Sequence, residues 1–148
     1  MKITEHFSLE EFERSDTAKR LGIDNTVPKG LLPNIEALCQ EVLEPARAQF
    51  KTPIIITSGY RCGALNYKVK GATNSQHMNG EAADFKVYKK VNGKSVPDNE
   101  TLRAMYKWMV DNLQFDQLIW EVRPTSKWIH VSYKRTGVNR QSVFTCRK

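Results

Sequence analysis

Between residues 75 and 85 the chain reads SQHMNGEAADF, which sets a serine, a histidine, an Asn-Gly pair, two alanines and an aspartate close together. A neutral imidazole and a carboxylate are both ligands for a divalent cation such as zinc, which binds them at about 2 Å. His77 and Asp84 are seven positions apart, and on a helix that spacing would separate them by about 10 Å along the axis. A turn between them removes the difficulty. Asn79-Gly80 is a turn signal that folds the chain back, and Ala82 and Ala83 keep the return uncrowded, so Asp84 is expected beside His77.

The remaining histidines are His6 and His130. His6 lies outside every motif and reads as an exposed or capping residue. His130 sits in WIHVSY, where strand alternation puts Trp128, His130 and Ser132 on one face and Ile129, Val131 and Tyr133 on the other. The preceding QLIWEV has Leu118, Trp120 and Val122 on its apolar face. Matching the two apolar faces pairs Trp120 with Ile129 and Leu118 with Val131. Glu121 then lies opposite Trp128 and diagonal to His130, about 7 Å away, with room for one water between the carboxylate and a metal on the histidine. Three protein ligands would leave zinc a fourth position for water, as in catalytic sites. Such a water has a pKa of about 7, and an adjacent carboxylate can take its proton as it attacks a carbonyl. Zinc fits two histidines and an aspartate best, although manganese and cobalt accept the same ligands.

The elements that must position these groups follow from pattern. Ser8 with Glu11 forms a capping box that starts a short helix. Leu31, Ile35, Leu38, Val42, Leu43 and Ala46 trace one helical stripe, which Pro45 should kink or whose regular part it should end. TPIIITSGYR is a buried strand emptying into a loop at Ser58 to Arg61, followed by a brief helix over Ala64 to Val69. After Gly71 the chain reads as loop through Gln76 and as strand over Glu81 to Val87. KKVNGKSVPDN reads as a polar, mobile connection, and Pro97-Asp98 introduces a helix with Leu102, Met105, Met109 and Leu113 on its apolar face. DQLIWEV, a turn over Arg123 to Lys127, WIHVSY and a weaker SVFTC complete the chain as β structure. The order predicts an α+β fold, a small central antiparallel sheet with helices packed on it, in a single domain over 1–148.

Composition narrows the function classes. Forty per cent hydrophobic and 26 per cent charged residues are ordinary for a folded domain. The opening MKITEHFSLEEFERS is acidic where a secretory leader needs an apolar run, and no stretch approaches the roughly 20 apolar residues of a membrane span. The expectation is a chain made in the cytoplasm, without membrane insertion, and monomeric. Cys39, Cys62 and Cys146 are odd in number and widely spaced, and read as reduced thiols. Residues 1–50 carry six basic and nine acidic side chains, whereas residues 51–148 carry seventeen basic and seven acidic. That surface would be drawn to a polyanion, nucleic acid, acidic membrane or anionic cell wall alike. No helix-turn-helix pattern, RNA-binding aromatic signature or zinc-finger spacing accompanies the charge, so no specific nucleic-acid partner is expected.

SQHMNGEAADF matches the Ser-x-His-x-x-Gly-x-Ala-x-Asp signature of the M15 zinc peptidases, the D-Ala-D-Ala carboxypeptidase and dipeptidase family. WIHVSY resembles that family's second histidine strand, and TSGYR and FSLEEFERSDTAKRLGIDN extend the resemblance over nearly the whole chain. The resemblance implies a Hedgehog/D-Ala-D-Ala peptidase-like fold and Zn2+ held by His77, Asp84 and His130. It implies Arg61 steadying the developing oxyanion or a substrate carboxylate, and Ser75 bonding the substrate or orienting the loop. Some branches place the catalytic acid three residues before the last histidine, where this chain has Lys127. The chain is more similar to branches with an upstream QLIWE strand, which assigns the base to Glu121. The implied function is hydrolysis of peptidoglycan stem peptides, by a carboxypeptidase or a cross-link endopeptidase. An endolysin-like protein reaching the wall after release would fit the absence of a leader. The alternative is a zinc-stabilised, non-catalytic wall- or protein-binding module of the same fold.

Overall fold

A computed structural model describes all of residues 1–148. The chain opens with a small ribbon, β1 (Lys2–Thr4) and β2 (Phe7–Ser8), followed by α1 (Leu9–Glu13) and α2 (Asp16–Leu21). The capping box forms as the sequence predicts, with the Ser8 backbone N–H donating to the Glu11 carboxylate at 2.7 Å. The long apolar stripe becomes α3 (Leu32–Leu38), one π-helical stretch over Cys39–Leu43, and α4 (Glu44–Phe50). The regular α-helix is thus interrupted just before Pro45, as expected, but the chain stays helical through it. Pro45 has no N–H to give to the preceding turn, and the widened stretch absorbs it, with the Glu44 N–H reaching back five residues to the Cys39 carbonyl.

Next come β3 (Ile55–Ser58), α5 (Gly63–Lys68), a 3-10 turn over Gln76–Asn79 and β4 (Ala82–Lys86). The stretch expected to be a mobile connection is instead a hairpin, β5 (Tyr88–Val91) and β6 (Lys94–Pro97). Its Asn92 and Gly93 both take positive φ, 51° and 78°, the turn that an Asn-Gly pair between strands favours. Helix α6 (Asn99–Asn112) is capped by Asp98, whose carboxylate accepts the Thr101 N–H at 3.1 Å. The last strands are β7 (Gln117–Arg123), β8 (Ser126–Ser132) and β9 (Ser142–Arg147).

The main sheet has the order β3-β4-β8-β7-β9. Its β7–β8 register is the one that matching apolar faces predicts, with Leu118 opposite Val131, Trp120 opposite Ile129 and Glu121 opposite Trp128. The expectation of a wholly antiparallel sheet needs correction at one edge, because β9 runs parallel to β7. The stretch from Tyr133 to Gln141 carries the chain back across the sheet end before β9 begins. The architecture is mixed α/β and compatible with the α+β class.

The sheet has two unlike faces. Ile56, Ala83, Phe85, Leu118, Trp120, Ile129 and Val131 join Leu38, Val42, Met105 and Met109 in one buried hydrophobic cluster. The alternate residues, among them Asp84, His130 and Glu121, occupy the opposite face, which carries polar groups. No helix is long and apolar enough to cross a membrane.

Candidate metal centre

Each member of the histidine–aspartate group arrives by a different route. His77 lies in the 3-10 turn, whose first N–H groups would otherwise lack partners; Ser75 Oγ accepts the His77 N–H at 3.2 Å. Gly80 closes the turn at φ 68°, a left-handed conformation that suits glycine, and its N–H bonds back to the Gln76 and His77 carbonyls. The chain then enters β4, and Asp84 becomes the direct cross-strand partner of His130 on β8.

The result is compact. One oxygen of Asp84, Oδ1, lies 2.9 Å from His130 Nδ1 and 3.5 Å from His77 Nε2. The two imidazole centroids are 5.2 Å apart in an edge-to-face arrangement. One ligand atom from each residue falls within 4.8 Å of the others. Ligands about 2 Å from a tetrahedral cation are about 3.3 Å from one another, so the observed separations suit such an ion. The tautomer of His77 also suits it. His77 Nδ1 donates to the Gly59 carbonyl at 2.7 Å, and a carbonyl can only accept, so Nε2 is the nitrogen that faces Asp84 and is free to bind a cation. His77 is 2% exposed. Burial alone would push the Asp84 carboxyl up, but the adjacent His77 and His130 hold it well below the usual carboxylate range.

Arg61 is fastened beside the trio. Its backbone N–H donates to the His77 carbonyl at 3.1 Å. Its side chain donates to Ser58 Oγ at 3.2 Å and to Asn66 Oδ1 at 3.1 Å, and Nη2 lies 3.7 Å from Asp84 Oδ2. Burial draws its pKa down, and Asp84 opposes that shift. Glu121 lies on the same sheet face one strand beyond His130, where its Oε1 accepts from Arg123 Nη2 at 3.1 Å. The Arg123 guanidinium stacks on Trp128 at 4.6 Å from the ring centroid.

A single cavity of about 610 Å³ is lined by His77, Asp84 and His130 together with Arg61, Ser75 and Glu121. Every residue assigned to the site from the sequence thus faces one space, and His6 is separate from it, bonded to Glu44 on α4 at 2.7 Å. Three contributors were not singled out. Ser58 and Asn66 hold the Arg61 fork, and the side-chain nitrogen of Gln76, buried beside the cavity, has no hydrogen-bond partner in the protein. Gln76 lies between Ser75 and His77, and that position was the available signal for it. An orphaned buried donor is costly unless something accepts from it, and here it lines the space a ligand would enter.

A family model described as Peptidase M15 matches residues 5–132. No curated protein matches the chain.

Proposed function

The chain belongs to the peptidase M15 family, and we propose that it is a zinc-dependent hydrolase of peptidoglycan stem peptides, trimming a terminal D-Ala or cutting a cross-link. On this reading residues 1–148 form one peptidase domain of Hedgehog/D-Ala-D-Ala peptidase-like fold that meets the cell wall after release. The observation that carries it is the position of Asp84 Oδ1 between His130 Nδ1 and His77 Nε2, at 2.9 and 3.5 Å, inside a cavity that also receives Glu121 and Arg61.

His77, Asp84 and His130 would hold the ion. When bound, the cation supplies Lewis acidity, polarising a scissile carbonyl and lowering the pKa of a water. Glu121 takes the proton from the attacking water and returns it to the leaving amine. Arg61 stabilises negative charge that develops on the carbonyl oxygen or is already present on the substrate terminus. Its ties to Ser58 and Asn66 support this role, because a donor fixed before the substrate arrives need not reorganise during the reaction. Ser75 orients the turn that carries His77 and has hydroxyl capacity left for the substrate.

His77→Ala should lose bound zinc and hydrolysis together, whereas Glu121→Gln should keep zinc and lose turnover by about 10²-fold or more. Zinc content and release of amines from defined muropeptides measure both. Hydrolysis that survives in Glu121→Gln protein stripped of metal would overturn the mechanism, and zinc retention with stoichiometric wall binding but no wild-type hydrolysis would favour a binding module.

A further inference from the structure

The register of the open sheet face extends the site well beyond the metal trio. Asp84, His130 and Ile119 lie in one row across β4, β8 and β7. Two residues further along the strands, Glu121 pairs with Trp128 on β8 and with Cys146 on β9. Beyond that, Arg123 pairs with Ser126, and Lys148 follows Arg147, the partner of Val122, with its N–H on the Val122 carbonyl at 3.2 Å. Lys86 reaches the same end of the face, donating from Nζ to Ser126 Oγ at 2.6 Å.

Three cationic side chains, Lys86, Arg123 and Lys148, therefore stand at the end of the face that carries Trp128, with Glu121 the one acidic side chain there. Arg123 is matched by Glu121, but neither lysine has a carboxylate partner within ion-pair distance. Arg123 is already immobilised by the Val122 carbonyl, Glu121 and the Trp128 ring, so little side-chain entropy remains to be lost when an anion docks there. Arg123, Trp128 and Lys148 line the same cavity as the metal trio. Lys148 also lies outside residues 5–132, the part that matches the family model.

We infer that this end of the face is a second anion-binding subsite, with Arg123 and Lys148 inside the cavity and Lys86 at its rim beside Ser126, that takes a substrate carboxylate away from the scissile bond. Strand geometry sets the spacing. Successive same-face residues are about 7 Å apart, so the subsite begins one to two peptide units from the carbonyl that His130 and Asp84 would approach. A ligand spanning both places is a peptide with a free side-chain or α-carboxylate near the bond that is cut. The inference deepens the peptidase reading by naming a feature of its substrate, and it depends on that reading only for the identity of the bond.

The test uses two synthetic stem pentapeptides, identical except that the second residue carries a free α-carboxylate in one and a carboxamide in the other. Binding to the full chain is followed by amide shifts in chelator, where no turnover interferes. The free acid is expected to bind about fivefold tighter, the effect of one or two partly exposed ion pairs, with the largest shifts at Trp128 and Cys146–Lys148. Lys148→Gln, an exposed substitution, and Lys86→Gln should each reduce that preference, and the double variant should abolish it. Equal affinity of the two peptides for wild type, or an undiminished preference in the double variant, would overturn the subsite. Hydrolysis by metal-loaded protein without any acid preference removes the subsite and leaves the peptidase reading intact. Acid preference without hydrolysis of either peptide does the reverse.

Discussion

Asp84 and His130 face each other as direct partners across antiparallel strands β4 and β8, and their side chains close to 2.9 Å. This pairing makes the centre part of the sheet, so its geometry is held by ladder hydrogen bonds on both sides of Asp84. Burial would raise its carboxyl pKa, and the two imidazoles beside it hold the carboxyl down instead. Asp84→Asn keeps the shape and removes the charge. It should weaken zinc binding by more than about 100-fold, beyond the range typical of losing an outer partner. Competition with a chromophoric chelator measures the change, and an affinity within tenfold of wild type would mean that Asp84 is not a ligand.

Metal removal should be visible in stability. The candidate ligands, drawn from the 3-10 turn, β4 and β8, come together only in the folded chain, so an ion they hold at about 100 times its Kd would stabilise the fold by about 2.7 kcal/mol. For a domain of this length the expected rise in Tm on adding zinc to chelated protein is about 5–10 °C. His77→Ala should show almost none of that rise, because it removes a ligand and the link to Gly59 together.

Much of this arrangement is legible in the sequence because the informative residues are local or alternate strictly. The β7–β8 register follows from two apolar rows that tolerate one alignment, and it places Glu121 opposite Trp128. The return of Asp84 to His77 follows from a turn signal and two alanines. The partners of Arg61 were not legible, since Ser58 and Asn66 reach it from a strand end and a short helix whose mutual approach no periodicity encodes. The direction of β9 was hidden for the same reason. Its partner is fixed by a crossover at the sheet end, not by its own pattern. The β5–β6 hairpin is a different case, because Asn92-Gly93 did announce it, but lysine-rich flanks that pair only with each other resemble a solvated loop.

Gly71 tests the idea that Arg61 must be held in place. A β-carbon at this position would collide with Asn66 Oδ1 and come within 2.7 Å of Arg61 Nη1. Gly71→Ala should therefore push apart the Arg61–Asn66 pair while leaving the metal trio in place. The expected result is unchanged zinc content with kcat/KM reduced about 10–100-fold, the order associated with misplacing a charge-stabilising group. Arg61→Lys, which keeps the charge and loses the fork, should show a comparable defect. Normal activity in both variants would remove Arg61 from the reaction.

Asp116 governs how the C-terminal stretch is docked. Its side chain is fully buried and accepts from Arg140 Nε at 2.9 Å, Arg140 Nη2 at 2.7 Å and the Arg140 backbone N–H at 3.0 Å. Its own backbone binds Ser132 and Ser142, so one residue ties β8 to the start of β9. The hydrogen bonds from Arg140 outweigh burial and hold the Asp116 carboxyl down at about 2. A carboxyl depressed in the folded state stabilises fully above its unfolded pKa, about 3.9, and loses that contribution as pH falls through its folded pKa. Asp116→Asn should accordingly cost about 1.5–3 kcal/mol at neutral pH. The gap to wild type should narrow by about 1–2 kcal/mol between pH 5 and pH 2. Urea denaturation across that range reads the difference directly, and a gap that stays constant down to pH 2 would show that the Asp116–Arg140 pair does not anchor β9.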